Sequence, residues 1–379
     1  MNKKYILINS FSGGGAERQV SMIAPGCEIE QIILLEDDKK YDLDFNFVSL
    51  GKKLNFSALL KTALIPWYLI KLYLLRSFSG DVILSFLVRA NLINILFKLV
   101  SNHKAYISER NTPSQLYHSG FKQIYGILIK VVYPYADKIT VNSYGIKKDL
   151  IENFYIDSSK IEVINNAVDV EKISLLSNEE LSEQEKIIFQ NKTIVNVGSL
   201  TDQKNQDFLI DLVDELREYK LIIVGEGSLR ESLIEHAQTK GLKVFAYGNE
   251  QELNDSYDIY LVGFSSNPFK YLKNATLFAL SSLWEGFPNV LLEAMASGSM
   301  IVSSDCKSGP REMLLGEICS GVLLPLATSD HLGAWISSIN NLDEKSINQY
   351  RESALLKVKE YSIPIILKKW NMILNNGEA

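Results

Sequence analysis

Two segments of this chain carry residue types and spacings suited to phosphate and hydroxyl chemistry. In the first, Gly13-Gly14-Gly15 stands between an apolar run, Tyr5 to Asn9, and the helix-like Ala16-Glu17-Arg18-Gln19. Bare glycines there present backbone N–H groups at a helix N-terminus, where partial positive charge gathers and an anion can bind. The spacing is neither the dinucleotide fingerprint nor a P-loop, and a tight strand-to-helix turn would use the same glycines. In the second segment, Ser282 to Gly298, Glu285 lies in a loop after the apolar run Leu277–Leu280, Pro288 opens a helix, and Gly298 stops it. The N–H groups of Asn289, Val290 and Leu291 would face a diphosphate. Glu285 and Glu293, the second a turn or more into the helix, can each accept two sugar hydroxyls.

The elements that would hold these residues follow from hydrophobic patterning. Strands are expected at Tyr5–Asn9, 31–35, 81–86, 105–108 and 138–142, with helical patterns at 90–100 and 143–153, the latter capped by Ser143. The second half repeats the alternation: strands at 193–197, 220–224, 259–262, 277–280 and 300–303, separated by helices at 205–218, 228–240, 268–275 and 289–297. Short apolar strands alternating with helices predict a parallel sheet covered on both faces, once in each half. The fold class is therefore α/β, two doubly wound domains with a cleft between them, and ligands belong outside the carboxyl ends of the strands. The polar stretch Ser177–Gln190 reads as the seam, giving domains at 1–190 and 191–360.

A length of 379 residues and 46% hydrophobic content fit two soluble domains and exclude disordered and low-complexity classes. Three scattered cysteines, Cys27, Cys306 and Cys319, form no disulfide framework or metal-ligand spacing, and no signal peptide is visible. His103, His118, His236 and His331 form no cluster. The net charge of −6 argues against a nucleic-acid binder but conceals an asymmetry. Residues 1–165 hold 20 basic and 15 acidic side chains, net +5, and the remainder 19 and 30, net −11. Between 51 and 150 there are 14 basic and 4 acidic residues, net +10.

Glu285 and Glu293 form an E-x7-E pattern, and with it the chain resembles glycosyltransferase family 4, retaining enzymes of the GT-B fold. The resemblance covers nearly the whole chain. Gly13-Gly14-Gly15-Ala16-Glu17-Arg18 is similar to that family's N-terminal glycine loop, and Val163-Ile164-Asn165-Asn166-Ala167-Val168-Asp169 to its "xNGVD" segment. Val197-Gly198-Ser199-Leu200 with Lys204-Asn205 resembles its "GRL…K" loop, Val224-Gly225-Glu226-Gly227 its "GxG" turn, and Ser308-Gly309-Pro310-Arg311-Glu312 its "GxxE" loop. The resemblance implies a donor-binding second domain, an acceptor-side first domain, and a C-terminal helix, 361–379, crossing back to the first. Gly14 and Gly15 would approach the donor phosphates, Lys204 would neutralise the diphosphate, and Glu285 would contact the transferred sugar. The N–H groups around Phe287, Pro288, Asn289 and Val290 would lie near sugar and phosphate, and Glu293 would hold the ribose hydroxyls. Ser199 stands where the family has an Arg, so Lys204, Arg230 or Arg311 must carry more of the phosphate charge. No metal or other cofactor is implied beyond the nucleotide-sugar co-substrate, expected to be a UDP-sugar.

Ser108-Glu109-Arg110-Asn111 follows the strand Ala105–Ile107 where the acceptor should enter, and Glu109 is the candidate for acceptor contact, with a surface ion pair or solvated loop as the alternative. Residues 54–78 are strongly apolar but interrupted by Lys61, Pro66, Lys71 and Arg76, a poor spanning helix. With Trp67, Tyr68 and Tyr73 they suit the headgroup region of an anionic membrane, as do residues 119–138, although either can be an ordinary core helix. The expectation is a cytoplasmic enzyme, peripheral on the inner face of the membrane, that glycosylates a lipid-linked saccharide for surface polysaccharide; no oligomer is read from the sequence. The alternatives are a UDP-sugar epimerase of the same fold and a non-catalytic sugar-nucleotide-binding subunit.

Overall fold

The computed structural model describes residues 2–40, 43–56, 58–249 and 252–375, without the side chains of residues 58, 59 and 121. The chain forms two compact units, Met1–Ala167 joined by the segment from Ile363 onwards, and Val168–Ser362. The first unit is built on seven strands: β1 (Lys4–Ile8), β2 (Ile29–Leu34), β3 (Phe47–Ser49), β4 (Val82–Phe86), β5 (Lys104–Glu109), β6 (Lys138–Val141) and β7 (Ile161–Val163). Their spatial order is β3-β2-β1-β4-β5-β6-β7, with every pair parallel. Register sets Ile6 between Ile32 and Leu84, all fully buried, which is why these strands read as continuous apolar runs.

The second unit holds β8 (Lys192–Val197), β9 (Tyr219–Val224), β10 (Val244–Ala246), β11 (Ile259–Gly263), β12 (Leu277–Leu280), β13 (Ile301–Ser304) and β14 (Val322–Leu324). Their order is β10-β11-β9-β8-β12-β13-β14, again parallel. Each sheet has a central switch point, between β1 and β4 in the first and between β8 and β12 in the second, where the order reverses. At such a point the connections leave to opposite faces and open a crevice at the carboxyl ends.

The division between the units falls after Ala167, ahead of the polar stretch expected to be the seam. Residues 177–190 instead complete the helix Val170–Ser177 and form the helix Glu183–Phe189, both in the second unit. Their Ser and Glu content is helix capping rather than linker composition. Ser182 Oγ accepts the Glu185 N–H at 3.2 Å, and Glu185 Oε2 accepts the Ser182 N–H at 2.8 Å while pairing with Lys270 at 2.9 Å. The crossing itself is a backbone pairing, Val168 N–H to the Tyr361 carbonyl at 2.9 Å. Beyond it the helix Ile363–Asn375 returns to the first unit. Ile366, Trp370 and Leu374, four residues apart, are buried against Ile6, Val20 and Phe86.

Residues 54–78 form two short helices, Ala58–Ala63 and Ile65–Leu75, divided at Leu64 ahead of Pro66; Ser57 lies outside the described residues. Only one stripe of the second is core: Tyr68 and Leu72 are fully buried, while Ile70, Tyr73 and Leu74 are 58%, 66% and 73% exposed. The helix Gln123–Val132 does the same, burying Tyr125 and Ile129 and exposing Ile124, Ile127 and Val131. The two regions touch through Thr62 and the Tyr125 hydroxyl, 2.5 Å apart. Among the described residues no helix is long and apolar enough to cross a membrane.

Candidate active site

The two loops flanking the β8/β12 reversal are stitched together. After β8, Lys204 closes a turn with its N–H on the Thr201 carbonyl, and its own carbonyl accepts Ser281 Oγ from beyond β12 at 2.7 Å. Gln203 accepts the Leu283 N–H at 2.9 Å and donates its amide to the Trp284 carbonyl at 2.8 Å. These bonds bring Lys204 Nζ to 2.5 Å from Glu285 Oε1, with side-chain exposures of 18% and 8%. Ser282 Oγ donates to the same carboxylate oxygen at 2.7 Å. Two groups expected to act on phosphate and sugar separately are therefore one ion pair, separated in sequence by 81 residues.

Tight backbone packing surrounds the pair. Gly225, at φ 150°, lies so close to the Gly198 carbonyl that any side chain would collide with it. Gly309, at φ 89°, presses on the Gly286 carbonyl 3.0 Å from where its Cβ would stand, and so fixes the loop carrying Glu285. The helix Asn289–Ala296 begins just after that loop, with Pro288 as its N-cap residue. Phe287 is buried against the Tyr361 ring, Val290 is buried, and Glu293 lies 5% exposed along the same helix. Ser199 is exposed; its carbonyl accepts the Gln206 side-chain amide at 3.1 Å.

Beside this loop lies a cavity of about 300 Å³ lined by Leu200, Gly225, Gly227, Arg230, Tyr247 and Gly263 among others. Arg230 donates to the Tyr247 carbonyl at 3.0 Å, and the 67% exposed Tyr247 ring lies over Gly263. The volume is at the lower end of small-molecule sites and suits a nucleoside. The sequence marks Arg230 only as a candidate phosphate contact and carries no signal for Tyr247, whose place in the cavity depends on β10 and β11 lying side by side. Both candidate cations also meet a carboxylate, Arg230 that of Glu231 and Arg311 that of Asp305.

In the first unit Gly14 is the extended N-cap of the helix Gly15–Ile23, and the carboxylate of Glu17 lies over it, where a Gly14 side chain would collide. Burial holds the Glu17 carboxyl above its ordinary value. Glu109 is the last residue of β5, fully buried, and not the solvated loop residue or surface ion pair of the alternative reading. Burial pushes its carboxyl up to about 7, against the lowering effect of the Tyr133 hydroxyl at 2.7 Å and the N–H groups of Asn111 and Arg110. The strand runs on past Ile107 because Glu109 pairs in register with Val141, which turns the side chain inward. Arg110 is also buried, under the Phe86 ring and bonded to Asn166 of the "xNGVD"-like segment. That segment is held in turn by Gln19, which exchanges two hydrogen bonds with the Ala167 backbone.

Solved structures share the fold over nearly the full length of the chain. The Anabaena protein HepE, solved with UDP and glucose, matches at a TM-score of 0.77 and 18% identity, covering 99% of this chain and all of that one. Two Rossmann-like units in that arrangement of strands define the GT-B fold. Residues 14–172 match the profile "Glycosyltransferase Family 4" and residues 191–342 "Glycosyl transferases group 1". A Campylobacter jejuni N-acetylgalactosamine-N,N'-diacetylbacillosaminyl-diphospho-undecaprenol 4-alpha-N-acetylgalactosaminyltransferase is 32% identical over 95% of this chain and 96% of its own length. An uncharacterised glycosyltransferase of Methanocaldococcus jannaschii is 30% identical over 80% of this chain and 81% of its own. The chain belongs to glycosyltransferase family 4.

Proposed function

We propose that the protein transfers a hexose or N-acetylhexosamine from a UDP-sugar to a lipid-linked saccharide, with retention and without a metal, at the inner face of the membrane during surface polysaccharide assembly. The observation carrying this reading is the Lys204–Glu285 pair at the β8/β12 reversal with a nucleoside-sized cavity beside it. The uracil ring stacks on Tyr247, Arg230 and Lys204 neutralise the diphosphate, and Glu293 holds the ribose hydroxyls. The likeness to a transferase acting on a diphospho-undecaprenol saccharide supports the acceptor class.

In this mechanism Lys204 leaves Glu285 for the donor diphosphate, and Glu285 turns to a hydroxyl of the transferred sugar. As the bond from the anomeric carbon to the diphosphate oxygen breaks, negative charge grows on the leaving group, where Lys204 and fixed N–H dipoles stabilise it. The acceptor oxygen bonds to that carbon from the same face, and its proton passes to the departing phosphate oxygen. The exposed apolar residues Ile70, Tyr73, Leu74, Ile127 and Val131, within a region of net charge +10, support docking on an anionic membrane. Thermal stabilisation by a panel of UDP-, GDP- and ADP-sugars tests the donor. Product NMR tests retention, and chelator tests metal independence. Conversion of a UDP-sugar without any acceptor would instead mark an epimerase. Binding with neither transfer nor donor hydrolysis would mark a non-catalytic subunit.

A further inference from the structure

The β1/β4 reversal of the first unit carries an ion cluster of its own. Glu36, just past β2, is buried, with Lys61 Nζ 2.6 Å from one carboxylate oxygen and Arg89 Nη2 2.6 Å from the other. Two cations thus share one carboxylate. Asp37 and Asp38, next in the chain, are engaged by Lys39 and Lys53 instead. Around the cluster several buried polar atoms lack a hydrogen-bond partner: Arg89 Nε, the Tyr68 hydroxyl, and Asn9 Oδ1 at the end of β1. The Arg89 side chain is 10% exposed and Tyr68 fully buried. Leu87, between β4 and the helix Val88–Ser101, is held at φ 73°, a conformation leucine adopts only under constraint, and no side chain caps that helix.

A surplus buried cation with an unused guanidinium N–H, at the crevice where doubly wound sheets bind ligands, is an anion site. Arginine's fork suits phosphate oxygens, and Lys61, 21% exposed, borders the solvent route. The helix that follows Lys61 exposes Ile70, Tyr73 and Leu74, apolar surface for an isoprenoid chain attached to such a phosphate. We propose that Lys61 and Arg89 bind the diphosphate of a polyprenyl-linked saccharide acceptor, and that Glu36 holds both cations in place until the phosphate oxygens displace it. This rests on the transferase reading above, from which the acceptor class comes.

The test measures binding of the full chain, without donor, to neutral phosphatidylcholine vesicles carrying a polyprenyl diphosphate. Matching vesicles carry phosphatidylglycerol in its place. Lys61→Gln and Arg89→Gln are each expected to weaken binding to the diphosphate vesicles about tenfold, the loss of one charge-assisted contact. Arg89→Lys should recover only part of the loss. Glu36→Gln should strengthen binding by freeing the cations, a gain that a merely structural partner would not produce. Wild-type binding by well-folded Lys61→Gln and Arg89→Gln proteins overturns the proposal, as does weakened binding by Glu36→Gln. Equal losses on phosphatidylglycerol vesicles overturn the diphosphate assignment in favour of a headgroup site. Stabilisation by the panel of UDP-, GDP- and ADP-sugars reads the second unit separately, so its absence would defeat the donor-site reading while leaving the vesicle result to stand.

Discussion

Both units place a lysine and a glutamate at the reversal of a seven-stranded parallel sheet, yet the charge is balanced differently. At β8/β12 one lysine faces one carboxylate, and the pair is neutral. At β1/β4, among the described residues, Lys61 and Arg89 both pair with Glu36. In the second unit the proposed mechanism has this ion pair open for Lys204 to serve a phosphate. In the first unit one positive charge is already in surplus. Topology sets where a ligand belongs, and side-chain charge balance sets what must move to admit it.

The comparison is broken most sharply at Lys204. Lys204→Ala should lower kcat by about 10²–10³-fold in a transfer assay, as loss of one fixed donor to the leaving group does, while the protein stays folded. Equal activity would remove the neutral pair from the mechanism. Next is Trp370, which ties the returning helix to the first unit. Trp370→Ala should cost about 3–5 kcal/mol in denaturant unfolding of that unit and spare UDP-sugar binding by the second.

A pH effect should also belong to the first unit. Glu109 in the folded chain titrates at about 7, above its ordinary 4.5, so the folded state keeps a proton that the unfolded state has lost. Stability from this group should therefore fall as pH rises from about 4.5 to about 7, and Glu109→Gln should remove that fall in urea unfolding at a series of pH values. Smallest is Tyr73→Ser, expected to change stability by less than about 0.5 kcal/mol yet reduce recovery with anionic vesicles in flotation.

Much of the molecule was legible in the sequence because its signals are local. The apolar runs became β1, β4, β8 and β12 nearly as read, since strands buried on both faces need no alternation. Ser143 caps its helix through the Ile146 N–H, as its type and place predicted. Short strands such as β3, β10 and β14, three residues each, carry too few side chains to register as a pattern. The seam at Ser177–Gln190 misled because capping residues and linker residues share a composition. Glu109 misled because one further pair of strand register, Glu109 with Val141, turns a loop residue into a buried one.

The sequence by itself determined the α/β class, the two sheets and the family. These follow from periodicity and from motifs a few residues long. Only the tertiary structure decided that Lys204 holds Glu285, that Tyr247 and Arg230 line one cavity, and that Glu36, Lys61 and Arg89 form one cluster. Each of these joins residues on different strands or helices. Their meeting depends on strand order and on where the order reverses, which no local pattern encodes.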